Sequence, residues 1–209
     1  MGWPTSTWSP RSSPASLRWL LYQQERGLQI ESLGAGLLLG LHVLVGQPLD
    51  VAYSFGSVQV QAPGSDLLVA ASPIALAVLL GVVTAVAALR FRWDYARLGR
   101  VPSSSVHLAS AAAIAVLLVG SKVLSVQYVI WLLPFAILLP RRMRWLLLAV
   151  TALSTAIYTT DYTGLWRLET PVIAALLVRN VLLAVIAAWL VGEIWTRRGD
   201  ARDVGSHAT

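Results

Sequence analysis

The chain contains no cysteine, which removes disulfide frameworks, thiol nucleophiles, cysteine zinc sites and iron–sulfur clusters from consideration. Charge is scarce as well. Asp, Glu, Lys and Arg make up 12% of the 209 residues, where ordinary soluble domains carry roughly 25%. With 56% hydrophobic residues and a mean hydropathy of +0.67, a water-soluble domain is excluded. Lysine is nearly absent: Lys122 is the one lysine among 16 basic residues. The net charge of +6 and pI near 10.3 would suit nucleic acid, but the arginines cluster beside apolar runs, which is a signal of membrane topology. No nucleic-acid partner is therefore expected. The sequence also lacks a Walker loop, a dinucleotide fingerprint, a His-Glu-x-x-His pair, a Ser/His/Asp set and a repeat of fixed period. The start is not a secretory signal, because Arg11, Arg18 and Arg26 are spread along a mixed segment and the first long apolar run begins near Leu33.

What the chain does have is apolar runs of membrane-crossing length, and these predict an all-α, polytopic membrane protein with about six transmembrane helices. The expected spans are Leu28 to Gly46, Leu67 to Leu89, Val106 to Gly120, Val123 to Leu139, Trp145 to about Thr160, and Thr170 to about Gly192. Residues 1–32 form a Pro/Ser-rich start and an amphipathic juxtamembrane stretch, 33–196 the helical bundle, and 197–209 a polar, disordered cytoplasmic tail. Arginines follow the second span (Arg90, Arg92, Arg97, Arg100), the fourth (Arg141, Arg142, Arg144) and the sixth (Arg197, Arg198, Arg202). The expectation is a multi-pass protein of the cell membrane with those three loops and the C-terminus cytoplasmic. Residues 47–66, the Lys122 turn and 161–169 then face outward.

Polar groups inside or beside membrane spans are costly, so they mark candidate sites. One set is Arg26, Gln29, Glu31 and Ser32 at the entry to span one, read either as an interfacial cap or as part of a site. On a helix Gln29 and Ser32 share a face, with Glu31 elsewhere and available to an arginine of another element. Gly36 and Gly40 form a G-x-x-x-G pattern suited to packing within the bundle. A second set places Lys122, Ser125, Gln127 and Tyr128 ahead of Trp131 and Pro134. It reads as an outer-face site for an anionic head group and sugar hydroxyls, or as a snorkelling lysine with an aromatic anchor. Arg179, beside Asn180 in span six, must pair with a structural carboxylate or with a lipid phosphate. Asp161 to Glu169 reads as a solvated connector, and His42 and His107 have no second ligand at metal spacing, so no metal is expected.

The string Tyr22-Gln-Gln-Glu-Arg26-Gly-Leu-Gln29-Ile-Glu31-Ser32-Leu, followed about ninety residues later by Lys122-Val-Leu-Ser125-Val-Gln127-Tyr128-Val-Ile-Trp131-Leu-Leu-Pro134, resembles the C-terminal half of multi-span GT-C glycosyltransferases. The closest group is the family 87 type, which includes polyprenyl-phosphate-mannose-dependent mannosyltransferases. The resemblance covers roughly residues 17–140 and implies hexose transfer from a polyprenyl-phosphate sugar donor in cell-envelope glycolipid or glycan synthesis, with no cofactor. Two departures stand out. Val126 replaces a proline of the family pattern, and the family's catalytic carboxylate lies in a large outer loop upstream of everything present here. The catalytic residue is therefore unassigned, and the resemblance implies a longer protein or a separate N-terminal half or subunit. The other reading is a non-catalytic membrane bundle, transporter-like or scaffold, whose polar residues only pack helices.

Overall fold

The computed structural model describes residues 26–160 and 162–196. The Pro/Ser-rich start, most of the amphipathic stretch, Asp161 and the polar tail lie outside the described residues. The chain order is β1 (Leu28–Gln29), α1 (Leu33–Val45), β2 (Asp50–Ser54), β3 (Ser57–Gln61), α2 (Ser65–Leu98), α3 (Ser103–Gly120), a 3-10 segment (Val126–Leu138), α4 (Arg141–Thr160), α5 (Tyr162–Trp166) and α6 (Thr170–Thr196).

The protein is predominantly helical, and three helices, α2, α3 and α6, are long and apolar enough to cross a membrane. Six spans are not found. The first expected span loses its opening residues to β1 and a turn, which leaves 13 helical residues, or about 20 Å. The turn ends at Ser32, whose hydroxyl accepts the Ala35 N–H at 3.2 Å and so fixes where α1 starts. The fourth expected span is 3-10 helix with Pro134 inside it. At about 2 Å per residue its 13 residues still reach about 26 Å, close to the length of α3, but the apolar stretch is short. The fifth, α4, has 20 residues and opens on three arginines that dilute its hydropathy. The second runs past its expected end, so Arg90, Arg92 and Arg97 are helical and not in a loop.

The segment 47–66, expected as a plain outer loop, folds into a hairpin that β1 joins to give an antiparallel sheet of order β1-β3-β2. The alternation Ser57-Val-Gln-Val-Gln61 carries it: Val58 and Val60 turn into the core with Leu28, Ile30, Leu38 and Leu39. The tight turn at Phe55-Gly56 has both residues at positive φ (51° and 71°), which suits the twist of a two-residue hairpin.

Two apolar clusters divide the molecule. One gathers the sheet, α1, Ile157, Leu165 and the start of α6 (Val172, Ile173, Leu176). The other joins α2, α3, the 3-10 segment, α4 and the later part of α6 (Leu183 to Ile194). The helices alternate in direction, so the arginines at the end of α2 and the start of α4 lie at the end of the bundle away from the sheet. At that end Arg90 and Asp94 form a buried ion pair at 3.0 Å, and Ser105 at the start of α3 donates to Asp94 at 2.6 Å. This polar lock fastens α2 to α3.

Glycine contacts set the relative depths of the elements. A Cβ on Gly36 would lie 2.7 Å from Asn180 Nδ2, while Gly40 faces Leu177, so α1 runs antiparallel to α6 and begins about 15 Å along it. The G-x-x-x-G face thus packs on α6 of the same chain. A Cβ on Gly120 would lie 3.2 Å from Leu76 Cα, so α3 ends about 17 Å along α2. The start of α1 and the end of α3 are therefore level with each other, deep beside the two longest helices.

Candidate functional site: a buried polar junction

At that level the two polar motifs, far apart in sequence, meet. The Gln29 N–H donates to the Lys122 carbonyl at 3.1 Å, and Lys122 Nζ donates to the Arg26 carbonyl at 2.6 Å. Arg26 Nη2 reaches Ser57 Oγ at 3.3 Å, and Gln59 accepts the Gly27 N–H at 3.1 Å while donating to the Ser54 carbonyl at 3.2 Å. The entry segment is thus a strand stitched to the sheet on one side and to the Lys122 turn on the other. Gln29 and Ser32 do not share a helical face, because Leu28–Gln29 is strand.

Behind the stitch lies Arg179, 1% exposed, donating through Nη2 to the Glu31 carbonyl at 3.2 Å. Its neighbour Asn180 donates to the Ser32 carbonyl at 3.3 Å. Glu31 is 2% exposed and sits in the turn before α1. Its carboxylate lies within electrostatic reach of Arg179, with the Tyr162 hydroxyl and the Val126 N–H as neighbouring donors. Burial pushes the Glu31 carboxyl above its ordinary value, opposed by the Arg179 charge and those two donors. Burial, with Glu31 close by, pushes the Tyr162 hydroxyl up. Burial and then Arg26 lower the Lys122 ammonium. Arg179 Nε and Nη1, Glu31 Oε2, Gln29 Oε1 and Asn180 Oδ1 are buried without a hydrogen-bond partner among the described residues. A junction with this much unfilled bonding capacity is costly in a low-dielectric interior.

The second motif is arranged differently from its expected form. Its helix is 3-10, and the Val126 N–H near its start is close to the carboxylate of Glu31. Tyr128 N–H returns to the Ser125 carbonyl at 2.9 Å. Lys122, Ser125 and Tyr128 are half-buried, Gln127 is exposed, and the Tyr128 ring lies against Trp131 with centroids 4.8 Å apart. Lys122 and Arg179 each donate to a backbone carbonyl of the entry segment, Arg26 and Glu31 respectively, whereas Gln127 is exposed.

A ring cluster adjoins the junction. Tyr162 meets Tyr158 edge-on at 5.6 Å, and Tyr53 stacks on Trp166 at 6.2 Å with planes 21° apart. The Tyr53 and Tyr158 hydroxyls lie near enough to Tyr162 to act on its charge. Tyr53 and Tyr158 are exposed, so these rings lead from the surface toward Glu31. They stand on two unusual turns. Phe55 in the hairpin and Leu168 after α5 are the two non-glycine residues at positive φ among those described, and the Leu168 turn is closed by a 2.9 Å bond from Glu169 N–H to the Gly164 carbonyl. The sequence signal for Tyr53 was the strand alternation of 50–61; for Tyr158 and Tyr162 none was available, because they come together through tertiary contact.

No group of three or more metal-binding side chains occurs among the described residues. His42 is engaged with the Gln47 carbonyl at 2.7 Å. Comparison with protein-family models, curated proteins and solved structures finds no match to the chain.

Proposed function

We propose that this membrane protein is the carrier-binding part of a polyprenyl-phosphate-sugar-dependent hexosyltransferase of the GT-C kind, with the catalytic carboxylate supplied by upstream sequence or a separate subunit. The observation that carries the proposal is the direct contact of the two resembling motifs through Gln29, Lys122 and Arg26. Two strings that resemble one family lie about ninety residues apart in sequence and touch in the fold. Support comes also from chemistry: the half-buried cation Lys122 suits a phosphate, and the rings of Tyr53, Tyr158 and Trp166 suit the apolar face of a sugar. In this reading the sheet end lies on the outer side of the cell membrane, and the arginine-rich end and the C-terminus lie in the cytoplasm.

A second reading, a non-catalytic bundle, is favoured by one specific fact: Lys122 and Arg179 already donate to backbone carbonyls of 26–31. Binding separates the two. In detergent at low salt, polyprenyl phosphate should bind the wild type more tightly than the Lys122→Ala/Gln127→Ala double variant, and equal binding leaves the bundle reading. Orientation is checked by single cysteines in this cysteine-free chain. An impermeant reagent on intact cells should label a cysteine at Ser65 and spare one at Ser104, and the reverse pattern overturns the orientation.

A further inference from the structure

The arginine-rich end of the bundle has a surface that the junction does not use. Arg92, Arg97, Arg100, Arg141, Arg142 and Arg144 are all exposed there, whereas Asp94 is fully buried and committed to Arg90 and Ser105. Tryptophans stand at the same level: Trp93 at 38%, Trp145 at 62% and Trp195 at 66% exposure. Two of them repeat one pattern in mirror image. On α2, Arg92-Trp93 lies one turn beyond exposed Leu89, and on α4, which runs the opposite way, Arg144-Trp145 lies one turn before exposed Leu148. Spacings of three and four residues put each leucine on the helix face of its arginine and tryptophan. Each strip thus presents a guanidinium, an amphipathic ring and then an apolar side chain, in the order of phosphate, interface and acyl chain in a phospholipid leaflet. The Trp93 ring is further held by Arg97, 4.0 Å from its centroid, and by Arg90 at 4.9 Å.

We propose that this end of the protein binds anionic phospholipids at two strips, Leu89/Arg92/Trp93 on α2 and Arg144/Trp145/Leu148 on α4. The guanidinium groups take the head-group phosphate and the leucines take the first methylenes of the chain. The partner is a lipid and not a soluble polyanion, because the basic groups form a belt continuous with acyl-facing surface. A neutral zwitterionic head group meets the same rings with less charge complementarity, and each arginine should contribute a factor of about five in preference at low salt.

The test uses the whole protein in detergent, with native mass spectrometry counting retained dioleoyl phosphatidylglycerol against dioleoyl phosphatidylcholine. The wild type should prefer phosphatidylglycerol at least fivefold, and the preference should fall as salt is raised. Arg92→Gln/Arg144→Gln should bring the two lipids to parity, while Arg167→Gln, at the opposite end, should leave the preference intact. Leu148→Ser, which keeps every charge, should reduce retention of both lipids and provides a second variant should the double one fold poorly. Parity in the wild type, an unchanged preference in the double variant, or equal competition by glycerol phosphate lacking acyl chains would each overturn the proposal, the last by showing a free-phosphate site.

Discussion

Replacing Arg179 by Leu should expose how the junction is held. The guanidinium is 1% exposed and lies within electrostatic reach of a carboxylate that is 2% exposed, so removal strands Glu31 without its counter-charge. Breaking one side of a contacting buried pair costs about 3–5 kcal/mol, because the remaining charge keeps its desolvation penalty; Arg179 acts on the Glu31 carboxylate by charge rather than through a direct salt bridge, so that range is an upper bound. Glu31 has an escape: burial already raises its carboxyl above the ordinary 4.5, and without Arg179 it rises further, so the side chain takes up a proton. The loss should therefore lie near the lower figure, about 3 kcal/mol, and should depend on pH. A carboxyl whose folded pKa is raised binds more protons folded than unfolded, so its contribution is best below the unfolded value and stability falls as pH rises above it. For Arg179→Leu the fall begins near 4.5 and continues to a higher pH than in the wild type.

The assay is reversible unfolding in detergent followed across pH 4 to 8, with Glu31→Gln and the double variant completing a cycle. Residues in one network couple by about 0.5–3 kcal/mol, so the double variant should be more stable than the summed single losses predict. Glu31→Gln alone should abolish the extra pH dependence that Arg179→Leu introduces. Strict additivity, or an unaltered pH profile in Arg179→Leu, would refute the pairing and leave Arg179 held by the Glu31 carbonyl alone.

Gly36→Val should destabilise by about 1–3 kcal/mol, since even a Cβ there would lie 2.7 Å from Asn180 Nδ2, whereas Gly40→Ala meets Leu177 at ordinary contact distance and should be near neutral; chemical denaturation of both variants checks the contrast. Ser105→Ala removes the 2.6 Å donor to buried Asp94 and should cost about 1–3 kcal/mol in the same assay, with protease access to the α2–α3 turn increasing. Tyr162→Phe takes a neighbouring donor from the Glu31 carboxylate, which should raise its pKa and move the stability–pH curve upward in pH, read by the same titration.

Membrane character was legible in the sequence because it depends on composition and run length; the expected span Thr170 to about Gly192 lies within α6, whereas α2 continues past its apolar stretch into Arg90, Arg92 and Arg97. Span counting failed where backbone geometry, not hydropathy, decides the outcome. Leu28 and Ile30 are apolar enough to open a helix, yet Leu28 and Gln29 pair with Val60 and Gln59, and the helix starts only after the Ser32 cap. Val126–Leu138 reads as an apolar helix, and nothing in composition distinguishes i→i+3 from i→i+4 bonding. The polar residues were found individually because each is costly in an apolar context. Their assembly was not, since Gln29 to Lys122 and Glu31 to Arg179 are contacts between distant positions. Asp94 was hidden by its arginine-rich surroundings, although Arg90 and Asp94 stand at the i,i+4 spacing of a helical ion pair.

The depths of the elements explain why a strand occurs in a bundle of this kind. α3 ends about 17 Å along α2, and α1 begins about 15 Å along α6, so the chain both leaves and enters a helix at that level. Chain that leaves a helix there needs partners for every N–H and C=O, because neither lipid nor an apolar core supplies them. β1 supplies and receives them: Leu28 and Gln29 pair with β3, Ile30 N–H donates to Val58 at 2.9 Å, and Gln29 N–H turns to Lys122. Arg179 then satisfies the Glu31 carbonyl, and Asn180 adds a second donor to the Ser32 carbonyl, which already accepts the Gly36 N–H at 2.9 Å. The same two side chains retain bonding capacity beyond those carbonyls, in Arg179 Nε and Nη1 and Asn180 Oδ1. A purely structural solution would need only one donor at each carbonyl, and an amide or hydroxyl would serve as well as a guanidinium at far lower desolvation cost. The retention of a positive charge within reach of Glu31, with the Tyr162 hydroxyl beside the same carboxylate, is what distinguishes this junction from a plain backbone repair.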